Sequence, residues 1–411
     1  MSIALDDRLA IAVVMDGMVD YGGQHGQATA IAVELARRCH QVAYLSRWPI
    51  ARRSERAAAL VDAGVAVLAP YWSDAPVARI HPGRYNVLLV RRRLEAAWRE
   101  RALRRSGSER DLAIRADDAN RVAVRMLRRW KICRAPSTRL VLHVLSRPSA
   151  EAVPRLRELG APIVFSEFGE LALYGLDGAS AEPLAVDGYT TDSPDRVREL
   201  ARLEGVNVAL IPCMAGFGQP PTAIPDRATS FVVVNRLADY KRTEVAMHAV
   251  ARDDFELHIH GGGPEEGRLR ELVAQLGLEQ RVRLHGFSPR EHVLDGLDSA
   301  HAFISCSRLD GTPMAVLEAM SRGRAIVAYP LDGIRFLVRD GVEGLYFDGT
   351  PDGLAAALRR LAGEAGLAAR LGRAGRERWE RQFAPAILAS EYERLYHGVL
   401  ARRADEGGGS A

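Results

Sequence analysis

Two cations and two carboxylates in the second half of the chain are spaced for work on a phosphorylated ligand. The stretch "NRLADYKR" carries Arg236 and Lys241 five residues apart, behind an apolar run and ahead of a helical one. Cations so placed can clamp a diphosphate, arginine by its planar fork and lysine as a point charge. The plainer alternative is two solvated surface charges. The stretch "SRLDGTPMAVLEAMSRG" sets Asp310 and Glu318 on either side of a segment apolar on nearly every face. Thr312 is its expected N-cap, Pro313 its first helical residue and Gly323 its left-handed C-cap. A helix apolar all round is buried, and a buried carboxylate is costly without a partner. The turn at Gly311 and the N–H groups of Thr312, Pro313's successor Met314 and their neighbours suit an anion at a helix N-terminus. Glu318, over a turn further, can accept hydrogen bonds from a vicinal diol such as ribose. Its alternative is an i,i+4 surface pair with Arg322.

Two glycine-rich stretches accompany these groups. "MDGMVDYGGQHGQ" puts Gly22 and Gly23 ahead of a helix expected from about Gln27, a loop that admits an anion and equally a plain turn. "IHGGGPEEG" imitates a dinucleotide motif through Gly261, Gly263 and Gly267. Its third glycine falls one residue late, and no acid ends the following "VRLHGF" run, so dinucleotide chemistry is not expected.

The elements that must position these residues are strands alternating with helices. "LAIAVVMDG", "QVAYLSR", "VAVLAP", "NVLLV", "RLVLHVLS", "APIVFSEFG" and finally "VNVALIPC" read as buried parallel strands with helical stretches between them. After the Pro/Gly-rich "MAGFGQPPTAIPDRATS" a second series begins: "SFVVVNRL", "FELHIHGGG", "RVRLHGF", "AHAFISCS", "AIVAYP" and "GLYF". The expected division is a first α/β domain over 1–214, a linker over 215–229, a second over 230–382, a closing helix over 383–402 and a disordered tail over 403–411. Ligands of such doubly wound sheets bind beyond the carboxyl ends of the strands, where the charged groups fall.

Composition bounds the rest. A chain of 411 residues exceeds one ordinary core, and 47% apolar with 26% charged residues suits a soluble enzyme. The net charge of +4 is carried almost wholly by arginine, since Lys131 and Lys241 are the two lysines; this bias does not imply nucleic-acid binding. The four cysteines have no metal-ligand spacing and are read as buried thiols. The opening "MSIALDDRLAIAVVMDG" has acids where a signal peptide has bases, and no apolar run reaches membrane-spanning length, so a cytoplasmic protein is expected.

The pattern of a basic pair, "GGGP", the "V-x-L-x-G-F" strand and an acid-x7-Glu-Ala-Met helix, together with the closing "FAPAILASEYERLY", resembles the GT4-type retaining glycosyltransferases of GT-B fold. The resemblance spans about 230–396 and extends loosely over 9–45. It implies two Rossmann-like domains facing a cleft, and a nucleoside-diphosphate sugar as co-substrate with no other cofactor and no metal. It further implies that Arg236 and Lys241 neutralise the diphosphate, Asp310 lies near the donor sugar and Glu318 holds the ribose. Gly286 and Phe287 would lie near the nucleobase, Gly22 and Gly23 near the phosphates, and the closing helix would cross back to the first domain. No Asp-x-Asp triplet points to a metal. Four departures stand out. Asp310 replaces the usual glutamate, Cys306 a usual proline and Cys213 of "IPCMAG" a common asparagine, and Phe168 of "SEFGE" stands where relatives often carry a histidine; Glu167, His25 and His143 are candidates for its role.

Residues 91–131 are rich in arginine. Val122, Met126 and Trp130 repeat at helical spacing beside Arg121, Arg125, Arg128 and Arg129. Such a helix can contact an anionic membrane surface or a phosphorylated acceptor, or simply pack on the sheet. The implied activity is sugar transfer to a hydroxyl of a small-molecule or lipid-linked acceptor. Epimerase-type chemistry and non-catalytic sugar-nucleotide binding are the alternatives.

Overall fold

Seven consecutive residues, Leu9–Met15, are buried without interruption, the signature of a strand covered on both faces. This strand, β1, begins the first of two units in the computed structural model. The model describes residues 7–15, 23–47, 50–51, 54–69, 72–73, 109–134, 138–145, 150, 152–168, 184–202, 204–216, 218, 223 and 229–408. The first unit runs to Met214 and resumes at Pro385; the second covers Ala215–Ala384.

In the first unit β1 is followed by α1 (Gly23–Arg37), β2 (Gln41–Ser46), β3 (Ile50–Ala51), α2 (Glu55–Asp62), β4 (Ala66–Leu68), β5 (Trp72–Ser73) and α3 (Glu109–Arg134). Then come β6 (Arg139–Leu145), α4 (Val153–Leu156), β7 (Ile163–Glu167), β8 (Gly188–Thr191), α5 (Pro194–Leu200) and β9 (Asn207–Leu210). Seven strands form one parallel sheet in the order β4-β2-β1-β6-β7-β8-β9. The expected strand "NVLLV" lies outside the described residues. Strand β8, "GYTT", was not anticipated, because it has no apolar run. Its Tyr189 is nonetheless fully buried, and the hydroxyl of Thr190 meets that of Ser166 at 2.5 Å, so the strand enters the core with its polar group satisfied.

The second unit contains β10 (Ser230–Val234), α6 (Thr243–Val250), β11 (Glu256–His260), α7 (Glu266–Gln275), β12 (Val282–Gly286), α8 (Arg290–Ser299) and β13 (Ala302–Ser305). It continues with α9 (Met314–Ser321), β14 (Ala325–Ala328), α10 (Asp332–Leu337), β15 (Gly344–Tyr346), α11 (Pro351–Gly363) and α12 (Leu367–Arg378). Its six parallel strands lie in the order β12-β11-β10-β13-β14-β15, as the alternating pattern predicts. The chain winds outward from β10 through β11 to β12, then returns to β13 on the other side of β10. That reversal opens a crevice beyond the carboxyl ends of β10 and β13.

The closing helix, α13 (Pro385–Gly408), belongs to the first unit. It extends beyond the expected boundary, and residues 403–408, assigned to a disordered tail, are helical. Arg402 donates to Asn207 at 2.5 Å, and Arg403 reaches Asp187 at 3.0 Å and the Gly160 carbonyl at 2.7 Å; these anchors hold the extra turn. Further back, Arg38 grips Glu393 through two bonds of 2.7 and 2.6 Å, and His40 Nε2 reaches the same carboxylate at 2.8 Å. The His40 Nδ1 accepts from the Leu9 N–H, which fixes the proton on Nε2 as donor to Glu393. Tyr396 bonds His143 Nδ1 at 2.7 Å, and His143 Nε2 meets Ser166 Oγ at 2.6 Å.

Two expectations change. On α3 the residues facing the core are Ala123, Val124, Leu127 and Trp130; Val122 and Met126 are only half-buried, so the apolar stripe is rotated from the one the spacing suggested. Cysteine burial is also divided. Cys213 and Cys306 are buried and Cys39 and Cys133 exposed, the latter two near helix ends rather than on core faces. No described helix is long and apolar enough to cross a membrane.

Burial pushes the Glu393 carboxyl up, but the bonds from Arg38 and His40 outweigh it and hold the group at about 2. A carboxyl depressed on folding stabilises above its unfolded value and loses that contribution as pH falls through its folded value. Glu393→Gln is therefore expected to cost on the order of 2 kcal/mol at neutral pH, with the deficit vanishing as pH falls from about 4.5 toward 2, measured by urea unfolding across that range.

Candidate functional site

The groups singled out in the sequence that lie in the second unit collect at its crevice. Beyond β10 the chain makes a short 3-10 turn, Asp239–Lys241, and then a left-handed residue, Arg242 (φ 52°, ψ 42°), before α6. Beyond β13 it runs through Ser307–Asp310. The two loops are tied by backbone, because the Tyr240 carbonyl accepts the Arg308 N–H at 2.9 Å and the Ser307 hydroxyl at 3.4 Å. They are also tied by charge. Lys241 Nζ lies 2.6 Å from both oxygens of Asp310, each side chain 14% exposed.

Arg236 stands half-buried just beyond β10; its carbonyl accepts the Ala238 N–H at 2.9 Å, and its guanidinium has no hydrogen-bond or salt-bridge partner among the described residues. Burial raises the phenol of Tyr240, with Asp310 raising and Arg236 lowering it, which places both charges around this one ring. The Lys241 ammonium lies 5.3 Å from its centroid.

Glycines close one wall. A Cβ on Gly261 would stand 1.7 Å from the Asn235 carbonyl oxygen and one on Gly263 2.2 Å from that of Leu237, so the loop after β11 can lie against the loop after β10 only without side chains. Gly261 N–H donates to the Gly286 carbonyl at 2.8 Å, and Gly262 lies beside Phe287, which is 42% exposed. The stretch that resembles a dinucleotide motif thus serves as packing between the Arg236 loop and the Gly286–Phe287 turn.

Helix α9 supplies the remaining wall. Pro313, not Thr312, is its N-cap, with extended backbone and no side-chain cap, and Thr312 is buried one residue before it. The helix therefore opens at Met314, leaving its first N–H groups without carbonyl partners in the helix. Gly311 and Thr312 are pressed against α10, where a Cβ on Gly333 would meet the Gly311 carbonyl at 1.6 Å. Gly323 adopts the expected left-handed conformation at the far end.

The Glu318 carboxylate has no hydrogen-bond or salt-bridge partner among the described residues. Arg322, the surface partner of the alternative reading, is itself buried and pairs with Asp298 through two bonds of 2.7 Å. Burial pushes the Glu318 carboxyl up, and Arg290 on α8 partly offsets this. Arg290 and Asp298 escaped sequence reasoning because they come from α8, far along the chain; Tyr240 was legible only as the residue between the two cations.

Other candidates fall elsewhere. Gly22 lies outside the described residues, and Gly23 is the first residue of α1 in the first unit. Phe168 is buried at the end of β7. None of its three suggested substitutes is a free base at the end of that strand. Glu167 is buried against Arg196 at 3.1 Å. His143 uses both ring nitrogens internally, and burial pushes it down to about 3. His25 lies in the first turn of α1.

Residues 219–378 match the family model of the glycosyl transferases group 1. An exopolysaccharide phosphotransferase of Streptomyces coelicolor is 30% identical over 249 residues, covering 56% of this chain and 26% of that protein. A lipopolysaccharide core biosynthesis glycosyltransferase of Rhizobium meliloti is 29% identical over 225 residues, covering 52% of this chain and 64% of that protein. The matched stretches thus span about a quarter of the first relative and under two thirds of the second. Among solved structures, Anabaena HepE, crystallised with UDP and glucose, superposes with a TM-score of 0.67 at 15% identity, covering 95% of this chain and all of that one. Over residues 219–378 the chain is thus similar to the glycosyl transferases group 1, and its two parallel-sheet units have the GT-B fold.

Proposed function

We propose that this chain is a retaining, metal-independent glycosyltransferase that moves a sugar from a nucleoside-diphosphate sugar to a hydroxyl of a glycan, small-molecule or lipid-linked acceptor. The observation that carries the reading is a cation and a carboxylate whose side chains have no partner among the described residues, Arg236 and Glu318, in the unit whose topological switch point holds the Lys241–Asp310 pair. A diol-bearing diphosphate ligand supplies what each lacks. Its phosphates meet Arg236, the third Lys241 N–H and the open N–H groups of α9, and its ribose hydroxyls donate to Glu318. Gly286 and the exposed Phe287 ring receive the base.

The chemistry follows from charge. As the bond between the sugar and the diphosphate breaks, the departing oxygen gains negative charge and the sugar gains positive charge. Preorganised cations and backbone dipoles stabilise the former, which is why no metal is invoked. As the diphosphate draws on Lys241, Asp310 becomes available to the donor sugar's hydroxyls. Retention of configuration and a nucleotide-sugar donor rest on the motif resemblance, and the names of the relatives support a glycan acceptor. The solvent-facing row Arg121, Arg125, Arg128 and Arg129 of α3 supports peripheral contact with an anionic membrane.

Thermal unfolding with UDP, GDP, dTDP and ADP, each with and without EDTA, tests the site. One nucleotide is expected to stabilise the chain by about 3 kcal/mol at a hundredfold excess over its Kd, with EDTA making no difference. No shift with any of the four would overturn the nucleotide reading. Turnover only with added acceptor identifies transfer, turnover without one identifies epimerase-type chemistry, and binding without either identifies a non-catalytic binder.

Substitutions separate the roles. Glu318→Ala is expected to weaken nucleotide binding about tenfold or more, as loss of a charged hydrogen-bond acceptor does. Lys241→Ala is expected to lower kcat by about a hundredfold through loss of leaving-group stabilisation. A carboxyl whose folded pKa is raised costs stability when ionised, and that cost falls away at low pH. Glu318→Gln should therefore raise the Tm of the ligand-free protein by about 1–3 °C while it weakens binding, a combination read in one pair of melting curves.

A further inference from the structure

Three histidines on the β11–β12 edge lie outside the groups assigned so far. His258 and His260 share one face of β11, since alternate residues point the same way. The register with β12 shifts between Ile259 and His260, and His285 falls among their rings. The His260 and His285 rings are stacked 4.3 Å apart at 7°, and His258 and His285 5.4 Å apart at 16°. His258 Nδ1 and His285 Nε2 are 3.1 Å apart.

His260 leads directly to the turn at the nucleobase end. Its Nδ1 lies 3.0 Å from Ser288 Oγ, and that hydroxyl donates to the Gly286 carbonyl at 3.2 Å. With the serine proton so used, His260 Nδ1 is the donor to Ser288 and its Nε2 the unprotonated nitrogen. The Gly286 carbonyl also takes the Gly261 N–H, and Gly286 itself is left-handed at φ 70°. Helix α8 covers the other side, where a Cβ on Gly296 would stand 2.4 Å from His260 Nε2.

The surroundings favour a neutral stack. The charges that reach it are Glu256 on β11, 3.8 Å from His258 Nε2, Arg283 on β12 and His292 on α8. Burial first, and then the neighbouring imidazoles, push His260 down to about 4. Burial and Arg283 lower His258, and burial and His258 lower His285. A proton on His260 enters at Nε2, against Gly296, where no acceptor stands among the described residues. It also charges a ring in face-to-face contact with another titratable ring, which movement of α8 or of the turn would relieve.

We propose that His260 is a positioning residue that sets the Gly286–Phe287 turn through Ser288, and that proton uptake by the three-ring stack loosens the turn and weakens nucleotide binding. The proposal rests on the nucleotide-binding reading above. The sign follows from depressed histidines: the neutral, tight form is complete above the ordinary histidine value and is lost as pH falls toward the folded values.

The test uses the full chain, its calorimetric Kd for UDP, GDP, dTDP and ADP, and three pH values of about 7, 5.5 and 4.5, with circular dichroism confirming the fold at each. For whichever of the four binds, the parent is expected to lose about fivefold or more in affinity between the highest and lowest pH. His260→Leu, which keeps apolar packing under α8 but cannot reach Ser288, should bind about tenfold more weakly at pH 7. His260→Asn, whose amide can still donate near the Nδ1 position, should recover part of that loss and show a flatter pH profile than the parent. Equal pH profiles for the parent and the Asn variant would overturn the proposal and leave the nucleotide reading intact, even if the Leu variant failed to fold. Binding of none of the four by the parent at pH 7 would remove the nucleotide reading, and this proposal with it.

Discussion

Arg322 lies one helical turn beyond Glu318, yet both prongs of its guanidinium go to Asp298 of α8, at 2.7 Å each. Asp298 also lies 3.7 Å from Arg324, which is completely buried and bonds the Ala300 carbonyl. Two buried cations thus share one carboxylate in the packing of α8 against α9. Buried charges must be paired, and removing one partner from such a set costs several kcal/mol. The pairing is strong enough to decide what its neighbour lacks: with Arg322 committed, Glu318 has only the distant field of Arg290 to offset burial. The bare carboxylate is a by-product of how the helices are fastened, and in the proposed function it is what the ribose hydroxyls would satisfy.

Much of this arrangement was legible in the chain. Short apolar runs gave the six strands of the second sheet because parallel strands buried on both faces leave little room for polar residues. Arg236, Lys241 and Asp310 stood out because ligand-binding groups of such sheets follow strands, and Glu318 because it interrupts an apolar helix; the glycines and proline around α9 marked its ends to within one residue. What stayed hidden was set by tertiary contact. Pro313 rather than Thr312 caps α9 because Thr312 is drawn into the core, which side-chain capping preference does not register. Arg322 looked like an i,i+4 partner because Asp298 is remote in sequence. On α3 the helical period was right and its phase was not. Half-apolar positions at both Val122 and Ala123 leave the rotation to be decided by the sheet beneath.

The first unit shows the same limit in its polar core. Tyr396, His143, Ser166 and Thr190 form one buried chain of hydrogen bonds from α13 across β6 and β7 to β8. Each residue alone reads as an ordinary surface type or a catalytic candidate. Together they satisfy one another, and burial keeps His143 neutral, so it serves as a two-sided connector. This network explains how "GYTT" becomes an interior strand, one in from the edge, and why the closing helix belongs to the first unit despite arriving from the end of the chain. The ion pair at Glu393 and the arginines at 402 and 403 fix the helix at three further points along its length.

In the second unit the same economy applies to a site that must stay open. Arg242 holds a left-handed conformation that costs about 1 kcal/mol for a residue other than glycine, and it is retained by a bond to the Gly349 carbonyl at 2.6 Å. That geometry turns the chain so that Lys241 faces Asp310. The backbone bonds from Arg308 and Ser307 to Tyr240 fasten the two loops independently of the side-chain pair. Neither loop has to be ordered when a ligand arrives, so binding energy is not spent on fixing them. Lys241 and Asp310 neutralise each other in the empty site, which spares the protein two unpaired buried charges. In the proposed reaction a diphosphate that competes for the lysine would convert that pair into a cation for the leaving group and a free carboxylate for the sugar. The pair therefore links the stability of the ligand-free unit to the charge separation that the proposed reaction requires.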